Sequence, residues 1–135
     1  MLALHALGTT VTRGGTTADT IKAALYTTAG SIGAGTTAYS ATNEVSGTGY
    51  TAGGVTVTNA TAPTTSGTTG YWTPSAAVVY STVTISGFDC VLFYNSTQSN
   101  RAICSNTFGT QTVTAGNFTI NMPTNGAGTA LINLA

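Results

Sequence analysis

The residues of this chain that could do chemistry are few and scattered. His5 is its one histidine, so any nucleophile–histidine arrangement would have to use it. No nearby carboxylate in the sequence would orient the ring, and a surface position is expected. Asp19, Glu44 and Asp89 could form an acid–base pair only if the fold brought two of them together. Asp19 stands at the start of an alternating segment, where a carboxylate blocks edge pairing or accepts backbone N–H groups. Glu44 falls in a Gly/Thr-rich stretch, and Asp89 precedes an apolar run. Cys90 and Cys104 are spaced for a hairpin centred near Thr97, which would set them opposite each other. They read either as a cross-strand disulfide or, preferred for a chain made in a reducing compartment, as a pair of small buried thiols. One distant histidine does not complete a zinc ligand set. No catalytic, cofactor or metal site is expected, and the chain reads as a non-enzyme.

Other patterns carry less. Gly47-Thr48-Gly49-Tyr50-Thr51-Ala52-Gly53-Gly54 has the glycines of a phosphate loop but lacks the close preceding strand and the following helix. Asn59-Ala60-Thr61, Asn95-Ser96-Thr97 and Asn117-Phe118-Thr119 match the glycosylation acceptor pattern. With 31 threonines, such matches are expected by chance. Tyr39, Tyr50, Tyr71, Trp72, Tyr80 and Tyr94 remain open between core residues, anchors of a protein interface and a sugar-stacking platform.

Composition narrows the partners. Only Arg13, Lys22, Arg101, Asp19, Glu44 and Asp89 are charged, 4% of the chain, where a soluble domain carries roughly a quarter. Three dispersed cations cannot neutralise a run of phosphates, so nucleic acid is not an expected partner. No apolar run approaches the roughly 18 residues of a membrane-spanning helix, and no membrane association is expected. The first residues lack the basic and long apolar regions of a secretory signal, so synthesis in the cytoplasm is expected. Zero formal net charge removes the repulsion that keeps free proteins apart, which suits a component of an assembly.

The elements that must position these residues are strands. Thr, Ser, Asn, Gly and β-branched residues disfavour helix, and period-2 alternation recurs. Thr20–Tyr26 sets Ile21, Ala23 and Leu25 against Lys22. Val55–Thr58 and Phe118–Met122 alternate, and Ala130–Leu134 reads as a last strand. Ala77–Ser86 predicts a strand with Val79, Val83 and Ile85 on one face and Tyr80, Thr82 and Thr84 on the other. Cys90–Tyr94, apolar on both faces, predicts a covered central strand. Turns are predicted at Gly53-Gly54, Ser66-Gly67, Ser86-Gly87, Asn95-Ser96, Ala115-Gly116 and Pro123–Gly128. Seven or eight short strands predict an all-β fold, an antiparallel, jelly-roll-like β-sandwich. Residues 16–135 form the single expected domain, residues 1–15 an extended N-terminal arm, and Thr27–Gly54 a long loop.

Asp19–Thr27, Thr37–Ser40, Asn43–Gly47, Gly49–Gly54 and Leu92–Thr97 resemble segments of a group of small virion structural proteins of tailed bacteriophages. In size and character that group is similar to capsid decoration, or cement, proteins. The resemblance runs from about residue 19 to the end, strongest over 19–60 and 90–97. The chain departs from the group's pattern over Tyr71–Thr84. The resemblance implies a non-catalytic virion component on the capsid surface, a homo-oligomer contacting the major capsid protein and copies of itself. It brings no cofactor. Candidate interface residues are Leu2, Leu4 and Leu7 in the arm, Tyr39, Glu44 and Tyr50 in the long loop, and Tyr71 and Trp72. The alternatives are a tail- or fibre-associated phage protein contacting the host and a carbohydrate-binding β-sandwich module.

Overall fold

The structure, a computed structural model, describes residues 18–58 and 61–134. The arm expected over residues 1–15, with Leu2, Leu4, His5 and Leu7, lies outside the described residues. Those described form no helix. Seven strands follow one another: β1 (Ile21–Thr27), β2 (Val55–Thr56), β3 (Thr64–Ser66), β4 (Thr69–Trp72), β5 (Val78–Asn95), β6 (Arg101–Ile120) and β7 (Ile132–Leu134). They make two antiparallel sheets, one in the order β2-β1-β5-β6 and one in the order β3-β4-β7, consistent with a β-sandwich.

β1 forms where the alternation predicted it, and it sits between β2 and β5. Ile21, Ala23 and Leu25 point into the larger apolar cluster, with Trp72, Tyr80, Phe88 and Phe93. Ala24 and Tyr26 point the other way, into a smaller cluster with Cys90, Leu92 and Tyr94. Cys90–Tyr94 is buried throughout, as its apolar character on both faces required.

The largest departure from the sequence reading is at β5 and β6. The turns predicted at Ser86-Gly87 and Ala115-Gly116 are not chain reversals, and the runs around 77–86 and 90–94 belong to one 18-residue strand. Gly87 (φ 66°) and Ala115 (φ 45°) sit instead at irregularities in the long β5–β6 ribbon, as does Thr82 (φ 52°). Such bulges bend a ribbon sharply. Phe108 and Phe118 are ten residues apart, roughly 33 Å in a straight strand, yet their ring centroids lie 5.5 Å apart. Phe88 packs edge-on to both, at 6.1 and 4.9 Å. The ribbon therefore turns a corner and packs its two halves against each other. This is how strands pass from one layer of a sandwich to the other.

The bulge at Thr82 also reverses the predicted faces. Tyr80 is buried beside Val83 and Ile85, whereas Val79 is 41% exposed. Strict period-2 counting fails because the register shifts between Tyr80 and Val83.

The cysteine register is corrected as well. Asn95 is fully buried, and its Oδ1 accepts from the backbone N–H groups of Thr97 and Gln98, at 3.1 Å each. Its Nδ2 donates to Asp19 at 2.7 Å. The turn is thereby centred on Gln98, with Asn95 opposite Arg101. A further shift beyond Tyr94 places Cys104 opposite Phe93 and Cys90 opposite Thr107. Cys90 belongs to the smaller cluster and Cys104 packs against the larger one. Both are free thiols.

Candidate functional site

Three of the candidate interface residues, Tyr39, Glu44 and Tyr50, converge in space. The loop between β1 and β2 runs back across the sheet, pinned at Val45, whose N–H donates to Leu25 O at 2.9 Å. That pin brings the Glu44 carboxylate under three donors. Oε2 accepts from the Tyr39 hydroxyl at 2.6 Å, and Oε1 accepts from the Tyr50 hydroxyl and the Gly53 N–H, each at 2.7 Å. Charge-assisted bonds to a carboxylate are among the stronger ones in proteins. Tyr50 Oη also accepts from the Leu25 N–H at 3.0 Å, which joins the carboxylate to the middle of β1.

Further tyrosines fasten the same loop and strands. Tyr26 donates to Ser40 O at 2.7 Å, Tyr94 to Gly53 O at 2.8 Å, and Tyr80 to Ala23 O at 2.8 Å. Tyr39 stacks on Tyr94 with centroids 4.7 Å apart, and Tyr50 on Tyr80 at 5.9 Å. Each ring gives apolar area to the packing and spends its hydroxyl on a backbone or carboxylate acceptor. Two glycines allow the approach. A Cβ on Gly54, whose φ is 69°, would collide with the Ala23 carbonyl, and one on Gly47 would collide with the Thr84 carbonyl.

The electrostatics follow from burial. Desolvation raises Tyr26 from 10.0 to about 12, with the Ser40 carbonyl pulling the other way. Desolvation and the hydrogen bond to Glu44 raise Tyr39 and Tyr50. Tyr80 and Tyr94 are raised by desolvation first and the Glu44 charge second. Every one of these phenols is held neutral around pH 7. Burial also raises both thiols, Cys104 to about 12 and Cys90 with help from Asp89, so neither is poised as a thiolate nucleophile.

The remaining candidates lie elsewhere. Tyr71 is half-buried on β4 opposite Asn133. Trp72 is fully buried, and its Nε1 donates to Thr61 O at 2.8 Å. That indole fills the core between the sheets, the first of the readings left open for these aromatics. Asp19 takes the Asn95 amide at 2.7 Å and the Gln98 amide at 3.4 Å, so it organises the β5–β6 turn. Asp89 is half-buried within β5. Among the described residues, no three His, Cys, Asp or Glu side chains cluster as metal ligands would. A shallow hollow of about 690 Å³ lies within the loop, lined by Ser31, Ile32, Thr36, Thr37, Ser40 and Asn43 among others. No charged side chain lines it.

Counting charges and motifs passed over Tyr26 and Asn95. The alternation of β1 carried the signal for Tyr26, which falls on the face opposite Ile21. Nothing local marks Asn95 as buried, because its partner Asp19 is 76 residues away.

No family model, no curated protein and no solved structure matches this chain.

Proposed function

We propose that the protein is a bacteriophage virion structural protein, a capsid decoration protein that binds the assembled head shell and stabilises it through non-catalytic contacts. Its partners on the capsid surface would be the major capsid protein and copies of itself. One observation carries this reading. The segments that resemble the phage group, Asp19–Thr27, Thr37–Ser40, Asn43–Gly47, Gly49–Gly54 and Leu92–Thr97, are the ones that the Glu44, tyrosine and Asp19–Asn95 bonds tie together. The likeness is thus to one packed unit, and that unit uses its reactive groups internally.

The surface supports the same reading. The described charges are Asp19, Lys22, Glu44, Asp89 and Arg101, and Asp19 and Glu44 are occupied within the fold. What remains outside is chiefly Thr, Ser, Asn and backbone. Hydrogen bonds from such groups are little screened by salt, unlike ion pairs. Repeated over a symmetric shell, modest contacts sum by avidity, and binding only the assembled lattice stabilises it by mass action.

The test is cryo-EM of the purified particle with co-sedimentation of the protein on empty heads. Density distributed over the shell, and retention in molar NaCl, are expected. Density confined to the tail would replace this reading with that of a tail- or fibre-associated protein. Tight binding on a glycan array would favour the carbohydrate-binding module.

A further inference from the structure

β6 is an edge strand of the four-stranded sheet, and β5 is the one strand it pairs with among the described residues. Its first residues are covered from outside, since the Ala102 N–H donates to Thr37 O and Ala38 bridges Arg101. Beyond the corner at Ala115 no described residue pairs with the outer edge. That stretch, Gly116–Asn121, contains no Lys, no Pro and no charge of any kind. Those are the features that normally stop one sheet edge from adding to another.

The order of residues there is palindromic in chemical type: Asn117-Phe118-Thr119-Ile120-Asn121. Phe118 and Ile120 are half-buried against the larger cluster, while Asn117, Thr119 and Asn121 are exposed on the other face. Beside them lies a mostly apolar hollow of about 300 Å³, lined by Phe108, Gln111, Phe118, Thr119, Ile120 and Asn121.

We propose that this edge is a self-association site, at which a second copy of the chain adds β6 to β6 antiparallel about a twofold axis through Thr119. In that register Phe118 faces the partner's Ile120, Thr119 faces its own counterpart and Asn117 faces the partner's Asn121. Aromatic against β-branched and Thr against Thr are favourable cross-strand pairs, and no like charges meet. A twofold contact requires each patch to be complementary to itself, and the palindrome supplies that. The apolar face of one sheet continues into the next, and both hollows are closed by the same contact. Zero formal net charge sets no long-range barrier to the encounter. None of this depends on the virion reading; a dimer that ignores capsids, or a monomer that binds them, would separate the two.

The experiment uses the full chain. Sedimentation equilibrium of the wild type is expected to show a dimer at about 100 µM. Thr119→Lys puts two ammonium groups opposite each other at an exposed position, and the expected result is a dimer dissociation constant raised by about tenfold or more. An unchanged circular dichroism spectrum and melting curve would show that the fold survives. Thr119→Cys is expected to give a disulfide-linked dimer on mild oxidation, while Thr112→Cys, exposed on the same strand but out of register, is not. A monomeric wild type, as expected if the chain's own first 17 residues cap this edge, would overturn the proposal. So would a dimer unaffected by Thr119→Lys, or cross-linking as strong through Thr112→Cys.

Discussion

The two ends of the β5–β6 ribbon meet the rest of the molecule in opposite ways. At the β1 end, the loop carrying Tyr39, Glu44 and Tyr50 closes over the sheet, and its polar groups are satisfied internally. Past the corner, the outer edge of β6 stays open, and Phe118 and Ile120 are only half-covered, as is Phe108, which packs on Phe118 from the other half of the ribbon. One region is polar in composition yet closed. The other is apolar on one face yet unfinished. Burial of polar groups demands partners within the chain, whereas a sheet edge can wait for partners outside it. The closed region should therefore dominate stability and the open one association.

The strongest way to break the closed region is through its backbone. Gly54→Ala forces a side chain into the Ala23 carbonyl at a left-handed φ, so β2 and the loop must leave β1. A loss of more than about 3 kcal/mol is expected, seen as a large fall in the urea midpoint. Glu44→Ala keeps the backbone but strips the Tyr39 and Tyr50 hydroxyls and the Gly53 N–H of their acceptor. That should cost about 2 kcal/mol at pH 7, with Glu44→Gln recovering part of it through its amide oxygen. Limited proteolysis should then cut within Thr27–Gly54 before any other described segment.

Alkaline pH attacks the same region without a mutation. Tyr26, Tyr39, Tyr50, Tyr80 and Tyr94 all have raised pKa values in the fold. The unfolded chain then ionises first, so the contribution of these phenols is complete below about 10 and is lost as pH rises. For Tyr26 the loss runs from 10.0 to about 12. Urea midpoints should be flat with respect to these groups from pH 7 to about 9 and fall steeply above about 10. Phenolate absorbance should rise together with unfolding. A smooth titration near the ordinary tyrosine value in the folded protein would show that the loop is not closed.

How much of this the sequence disclosed depends on whether the signal was local. β1 was legible because Ile21, Ala23 and Leu25 alternate without interruption, and Cys90–Tyr94 because it is apolar on both faces. The corner was not, since a glycine in a bulge and a glycine in a turn look alike; Ser86-Gly87 reads as either until its partner strand is known. The cysteine register failed for a related reason: Asn95 moves the turn by one position, through a bond to Asp19 that no local window contains. At the candidate site, Glu44 and its two tyrosines could be singled out as residues, but their convergence depends on the loop's path across β1. Trp72 stayed open between core and anchor because an aromatic beside turn residues carries no local sign of which it is, and here it is core.

The comparison is probed most finely through two phenylalanines that touch, of which Phe108 carries the smallest expected effect. Phe88 is fully buried where the ribbon bends, while Phe108 packs on it from the open side at 6.1 Å. Phe88→Ala should cost about 3–5 kcal/mol, as for a large side chain removed from a closed core. Phe108→Ala leaves a space that water already reaches, so it forfeits mainly the half of its area that was covered. That is about 1 kcal/mol, and a few degrees in the melting temperature. Comparable losses for the two would mean that the open side is sealed in solution. A loss at Phe108 that grows with protein concentration would identify a second copy of the chain as what seals it, because only a stability that includes association depends on concentration.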